Sequence, residues 1–122
     1  MHRGEIWLIN LDPTVGVELR KTRPAVIVND DSIGILPLKV IVPITEWKEN
    51  YTKAPWMVRL TPNDHNGISK PSAADAFQVR SLSQERFVRK IGQLSDSEMR
   101  EITEALAAVL NIDFENYDLT LP

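Results

Sequence analysis

The sequence predicts a small, mostly β domain that ends in one α-helix. Short runs rich in β-branched residues fill the first two-thirds of the chain, and such runs favour strands. The last third changes to the helical spacing of apolar residues. A chain of 122 residues has the length of a single domain. Several short strands followed by one amphipathic helix favour a strongly curved β-barrel with the helix packed on it.

The predicted strands are apolar runs separated by Pro, Gly, Asn and Asp. Nearly continuous apolar runs indicate that the second and third strands are buried on both faces. Segment 74–82 alternates, which places Phe77 and Val79 on one face of a strand and Gln78 and Arg80 on the other. The predicted strands cover residues 5–9, 24–29, 39–44, 56–60, 74–82 and 87–91.

A capping box marks the start of the C-terminal helix. In the run Ser95-Asp96-Ser97-Glu98, the Ser95 side chain can accept from the Glu98 amide while the Glu98 side chain reaches back. The pattern predicts a helix over 96–111, and a shorter helical turn is predicted from Ser83. The apolar positions at helical spacing are Met99, Ile102, Leu106, Val109 and Leu110.

Composition excludes several classes of site. The chain has no cysteine, which excludes a disulfide scaffold, a thiol nucleophile and a Cys-based metal site. Its two histidines argue against a multi-His metal centre within one chain. No apolar run reaches the length of a membrane span, and the N-terminus lacks the basic-then-apolar pattern of a leader. We therefore expect a cytoplasmic protein without a cofactor.

The net charge of −3 hides an asymmetry along the chain. Residues 1–100 hold 14 basic and 12 acidic residues, whereas the five charged residues beyond Arg100 are all acidic. The body can therefore bind a polyanion locally. We expect one domain over residues 1–112 and a short acidic tail over 113–122.

The long connection between the first two strands holds Arg20, Lys21 and Arg23 within four positions. Such a cluster can bind phosphate, although basic residues also serve solubility on solvated loops. Arg23 lies directly before the strand that starts at Pro24, and its planar guanidinium can grip two phosphate oxygens. Thr45 closes the third strand, where its hydroxyl can donate to a phosphate oxygen.

Further polar residues have weaker signals. Gln78 and Arg80 can hydrogen-bond base edges, although a polar solvent face explains their alternation equally well. Asp75 and Glu18 are candidate proton acceptors, but no neighbouring residue in the sequence indicates that the pKa of either carboxyl is shifted. Three other basic residues could line a substrate path: Lys39, Lys48 and Lys53.

Six stretches form a specific pattern along nearly the whole chain. They are 3–7 (RGEIW), 11–18 (LDPTVGVE), 21–28 (KTRPAVIV), 42–45 (VPIT), 75–80 (DAFQVR) and 90–94 (KIGQL). These stretches closely resemble the MazF/PemK family of toxin endoribonucleases, over roughly residues 3–112. The joining of the RGEIW opening to the strand that begins RPAV is much more specific than any single motif in the chain.

The resemblance implies an SH3-like β-barrel of the MazF/PemK/CcdB type, a homodimer, and metal-independent cleavage of single-stranded RNA. It also implies a toxin that inhibits translation by cutting mRNA and is neutralised by an acidic, MazE-like antitoxin. Arg23 and Thr45 match the family's principal active-site positions. Glu18 matches an acidic position in a mobile loop, and Gln78 and Arg80 match an element near the substrate. With Arg20 and Lys21, these residues are the predicted substrate contacts.

Two departures from the family keep other functions open. Many members have serine at the position of Val17, and some have an acid at that of Phe77. One alternative is a non-catalytic toxin of the same fold that inhibits a protein target such as DNA gyrase, and another is a member that has lost activity. The presence of both Arg23 and Thr45 in matching contexts favours the nuclease.

Overall fold

The computed structural model describes residues 1–13, 15–18, 21–34 and 37–113. The elements of these residues are β1 (Glu5–Asn10), β2 (Thr22–Ile27), β3 (Leu38–Glu46), β4 (Met57–Leu60), β5 (Ser72–Asp75), β6 (Arg80–Ser83), β7 (Phe87–Gln93) and α1 (Asp96–Leu110). Three short 3-10 turns cover Glu49–Lys53, Ala76–Gln78 and Gln84–Arg86. The predicted class, mostly β with a C-terminal helix, is confirmed.

The seven strands form one antiparallel sheet in the order β4-β5-β3-β2-β1-β7, with β6 also paired to β3. The long strand β3 organises this sheet because three strands use it. Its first half pairs with β6 and its second half with β5, while β2 pairs along its other edge. Because β5 and β6 pair with the same edge of β3, their connection runs beside the middle of that strand, which is where the cavity described below lies.

Two apolar clusters lie on the two faces of the central strands. One lies between the sheet and α1 and includes Val26, Val42 and Ile102, all completely buried. The other lies on the opposite face and includes Ala25 and Ile41. Central strands buried on both faces are the reason that their sequences read as continuous apolar runs, as predicted.

The helix begins at the predicted residue, Asp96, and ends at Leu110, one residue before the predicted end. Ser95 and Glu98 form the complete capping box, which satisfies amide groups of the first turn. Asn111 ends the helix in the left-handed region with φ 56°, a conformation that asparagine tolerates better than most residues. The predicted helical turn after Ser83 is the 3-10 turn Gln84–Arg86, with Ser83 as its cap.

The prediction of one alternating strand over 74–82 is wrong. β5 ends at Asp75, and the chain then makes the 3-10 turn Ala76–Gln78 before β6 begins. The Asp75 side chain causes this break, since its Oδ1 accepts a 3.1 Å hydrogen bond from the Phe77 N–H and caps the turn. Phe77 is consequently 65% exposed, and Gln78 is not a strand residue on the face of Arg80.

β2 starts earlier than predicted. Arg23 lies inside β2, paired with Ile9 of β1, and not in the loop before the strand. Arg20 and the predicted tail from residue 114 onward lie outside the described residues. Within the described part of the chain, no helix is both long and apolar enough to span a membrane.

Candidate active site

Arg23 and Thr45 meet where the shared face of β2 and β3 reaches solvent. The register pairs Ala25 with Pro43, and continuing it by two residues places Arg23 opposite Thr45. The Arg23 Nη1 donates a hydrogen bond of 3.3 Å to the Thr45 Oγ1. Both residues are half-buried, so their polar ends reach solvent from a backbone held in the sheet. The Thr45 hydroxyl accepts from the guanidinium and retains a hydrogen to donate, which suits the pair to binding an anion.

A cleft of about 640 Å³ lies at the ends of these strands, and its lining includes both Arg23 and Thr45. Three further basic residues line it, namely Lys48, Lys70 and Arg89. Lys70 is paired with Glu46 at 3.4 Å, so the cleft keeps an excess of positive charge. No sequence signal marked Arg89, because only the pairing of β7 with β1 brings it opposite Leu8 and into this cleft.

A second cavity, of about 660 Å³, lies beside the Arg23–Thr45 pair. Pro43 lines it, and Pro43 and Thr45 lie two residues apart on one face of β3. The structure thus brings three predicted substrate contacts, Glu18, Gln78 and Arg80, to one cavity next to the predicted catalytic pair. The cavity is lined by Leu11, Val17, Glu18, Pro43, Trp56, Asp75, Phe77, Gln78, Val79 and Arg80.

Asp75 is the residue of this cavity that sequence reasoning undervalued. It is 5% exposed, and its Oδ2 accepts a 3.0 Å hydrogen bond from the Gln78 Nε2 while its Oδ1 accepts from the Phe77 N–H. Burial raises the pKa of this carboxyl above its ordinary value of 3.8, against the opposing effect of these hydrogen bonds. The available sequence signal was the spacing of Asp75 before Phe77 and Gln78, which is that of a side chain capping a short turn.

The described part of the loop between β1 and β2 places Glu18 in the cavity and Lys21 outside both cavities. The Glu18 Oε1 accepts a 2.7 Å hydrogen bond from the Val15 N–H, so the side chain is held within its own loop. Lys21 adopts a left-handed φ of 69° and is exposed. Its backbone N–H donates to the Asp12 Oδ1 at 3.0 Å, but Lys21 lines neither cavity. Arg20 lies outside the described residues.

Metal-binding geometry is absent from the described ranges, where no three His, Asp or Glu side chains come together so as to hold an ion. The described site offers a guanidinium, a hydroxyl, nearby basic residues and a partly apolar cavity with one buried carboxylate.

Comparison with known proteins identifies similar chains over nearly the whole length. The sequence profile of the family described as "PemK-like, MazF-like toxin of type II toxin-antitoxin system" matches residues 2–110. Endoribonuclease MazF9 of Mycobacterium tuberculosis is 35% identical over 119 residues, which cover 92% of this chain and 98% of the relative. Endoribonuclease MazF of Staphylococcus saprophyticus is 30% identical over 112 residues, 92% of each chain.

The fold is likewise similar to that of a solved structure. The crystal structure of MazF from Deinococcus radiodurans superposes with a TM-score of 0.76, at 23% identity, and covers 92% of this chain and 97% of that one. The architecture predicted from the resemblance is therefore confirmed at the level of the fold.

Proposed function

Because the chain belongs to the PemK-like, MazF-like toxin family of type II toxin–antitoxin systems, we propose that it cleaves single-stranded RNA at short specific sequences without a metal ion. The coarser activity, that of an RNA-cleaving toxin, follows from the family and from the two relatives named as endoribonucleases. The finer chemistry rests on one observation, the 3.3 Å contact between the Arg23 guanidinium and the Thr45 hydroxyl.

The reaction we propose uses the substrate's own nucleophile. The ribose 2′-oxygen attacks the adjacent phosphorus, the bond from phosphorus to the 5′-oxygen breaks, and the 2′-proton passes to an acceptor while the leaving oxygen takes up a proton. The products are a 2′,3′-cyclic phosphate and a 5′-hydroxyl end. DNA lacks the nucleophile and resists cleavage.

Arg23 and Thr45 stabilise the charge that accumulates during this reaction. The phosphorane carries more negative charge on its oxygens than the starting phosphodiester, so donors already oriented toward it favour the transition state over the ground state. The contact between Arg23 and Thr45 orients both groups in advance. Lys48 and Arg89 bind flanking phosphates of the strand along the same cleft.

We also propose the assembly that the family description supports. A toxin of a type II system has a protein antitoxin, and an acidic segment of it fits the basic cleft that holds Lys48, Lys70 and Arg89. The antitoxin and RNA then compete for one surface, which a homodimer of this chain extends across its two-fold axis. This competition explains how the toxin is held inactive until the antitoxin is lost.

Mapping the ends of cleaved RNA tests the proposed chemistry. Purified protein is incubated with a mixed-sequence RNA in EDTA, and the product ends are identified. We expect cleavage to 2′,3′-cyclic phosphate and 5′-hydroxyl ends, and no cleavage where the nucleotide before the cut carries a 2′-deoxy sugar. A requirement for Mg²⁺, or 5′-phosphate ends, would refute the mechanism. A protein that binds a partner but cuts no RNA would support the non-catalytic alternative.

A further inference from the structure

The cavity beside the Arg23–Thr45 pair has features that phosphate binding does not require: two aromatic rings and a buried carboxylate. We propose that it binds the nucleobase next to the scissile phosphate, with the base stacked on Phe77 and selected by donation of its amino group to Asp75. This inference rests on the proposed function, since it names the specificity-determining residues of the same reaction.

The position of the cavity suits a base adjacent to the cut. Pro43 lines the cavity and Thr45 binds the phosphate in the proposed reaction, and these residues share one face of β3. Two residues along a strand span about 7 Å. A nucleotide whose phosphate contacts Arg23 and Thr45 therefore places a neighbouring base within reach of the cavity.

Phe77 provides a stacking surface that is already oriented. Its side chain is 65% exposed, and its ring packs edge-to-face on Trp56 with the centroids 5.8 Å apart and the planes at 65°. The Asp75 cap fixes the backbone of the same turn through the Phe77 N–H. An exposed aromatic ring, held from behind by a second ring, presents a face on which a base can stack irrespective of its identity.

Asp75 provides the selectivity that stacking lacks. An ionised carboxylate only accepts hydrogen bonds, and each of its oxygens has more than one acceptor direction. The Phe77 N–H and the Gln78 Nε2 each occupy one direction, and the backbone N–H of Gln78 is a third donor to the carboxylate. Because a carboxylate has about four acceptor directions, Asp75 keeps acceptor capacity toward the cavity that it lines. Adenine, cytosine and guanine carry an exocyclic amine that can donate to it, whereas uracil has only its N3–H, which lies between two carbonyl oxygens.

Because Asp75 is buried, binding a base without a suitable donor costs free energy. Asp75 is 5% exposed, so a base that closes the cavity removes the remaining water from the carboxylate. A base with an amine replaces that water with a hydrogen bond, whereas uracil can donate only its N3–H and brings the two flanking carbonyl oxygens toward the carboxylate, which repels them. The cavity therefore prefers an amino-bearing base to uracil at one position of the cleavage motif.

Asp75→Asn and Phe77→Ala separate the two roles. An asparagine keeps an oxygen for the capping hydrogen bond but places an NH₂ group where the carboxylate had an acceptor, so uracil becomes acceptable. The matched controls are Asp64→Asn, an exposed carboxylate in another loop, and Ile33→Ala, an apolar side chain of similar exposure at 66%. Neither control residue lines the cavity.

The measurement is the cleavage profile of an RNA library randomised around one cut, compared among these variants in EDTA. Asp75→Asn is expected to lower the preference for amino-bearing bases over uracil by about tenfold at one flanking position, while cutting continues. Phe77→Ala is expected to slow cleavage about tenfold at limiting enzyme, with the order of preferred bases unchanged. Profiles identical to those of the wild type and the controls would overturn the proposal.

If Asp75→Asn does not fold, an RNA that lacks the base at the flanking position provides a second test. On an RNA with an abasic nucleotide at the flanking position, wild type and Phe77→Ala are expected to cut equally, because no base is left to stack. A tenfold difference that persists on the abasic RNA would overturn the stacking role. A wild-type protein that cuts no RNA would refute the proposed function itself, whereas active variants with unchanged motifs refute only this inference.

Discussion

Replacing Arg23 tests whether the contact with Thr45 forms a catalytic pair. The Arg23 guanidinium lies 3.3 Å from the Thr45 hydroxyl. The guanidinium carries a full positive charge, whereas the hydroxyl is neutral. Loss of one donor oriented toward a developing oxyanion typically slows a reaction by about 10²–10³. We therefore expect Arg23→Ala to lower the single-turnover cleavage rate by about two to three orders of magnitude.

Conservative and double substitutions measure how the pair works. Arg23→Lys is expected to restore less than a tenth of the rate, because an ammonium cannot reproduce the two-pronged contact of a guanidinium. Thr45→Ala is expected to be milder, at about tenfold, since it removes a neutral hydroxyl and leaves the charge. The double variant is expected to lose less than the product of the single losses, because each group orients the other toward one phosphate.

The assay is single-turnover cleavage of a labelled RNA with one mapped site, in EDTA, with thermal unfolding recorded for each variant. Arg100→Ala is the control, since it removes one exposed positive charge from α1, away from the site. Arg23 is half-buried near the start of the central strand β2, where its polar end reaches solvent, so we expect its variants to fold. An Arg23→Ala rate within threefold of wild type, or near-normal turnover by Arg23→Lys, would show that the reasoning is wrong.

Two other predictions concern assembly and stability. Lys48→Glu, which reverses a charge that lines the basic cleft, is expected to weaken binding of RNA and of an acidic antitoxin peptide together, and increasingly so at low salt, because exposed charges are screened over about 10 Å at 0.1 M. Unequal effects in fluorescence anisotropy would contradict a shared surface, and a fully active monomer in sedimentation would contradict the homodimer. Burial alone would raise the pKa of Glu5, but hydrogen bonds from Trp7 and Lys90 hold it below 4.5. The ionised carboxylate therefore stabilises the fold above pH 4.5, and Glu5→Gln is expected to lower the free energy of unfolding at pH 7 by about 1–3 kcal/mol. That difference is expected to vanish as pH falls below the folded-state pKa, and chemical denaturation that shows it unchanged at low pH would exclude this origin.

The sequence by itself determined the fold class and the helix. Apolar runs predict strands because a strand buried on both faces needs an apolar residue at every position, and Val26 and Val42 are buried as expected. The capping box at Ser95 is equally readable, because its partners are three residues apart and its hydrogen bonds are local. Arg23 and Thr45 were predicted from the resemblance to a family, and their roles stay predictions.

Only the tertiary structure decided which side chains share a site. The contact between Arg23 and Thr45 depends on the register of β2 against β3, and Arg89 reaches the cleft through the pairing of β7 with β1. Asp75 shows most clearly what the sequence pattern misses. Segment 74–82 has the polar–apolar alternation of one continuous strand. In the structure, the Asp75 carboxylate accepts the hydrogen bond of the Phe77 N–H, and β5 ends there. Whether a backbone N–H donates to a side chain or to a neighbouring strand depends on the tertiary surroundings, which a periodic pattern does not record.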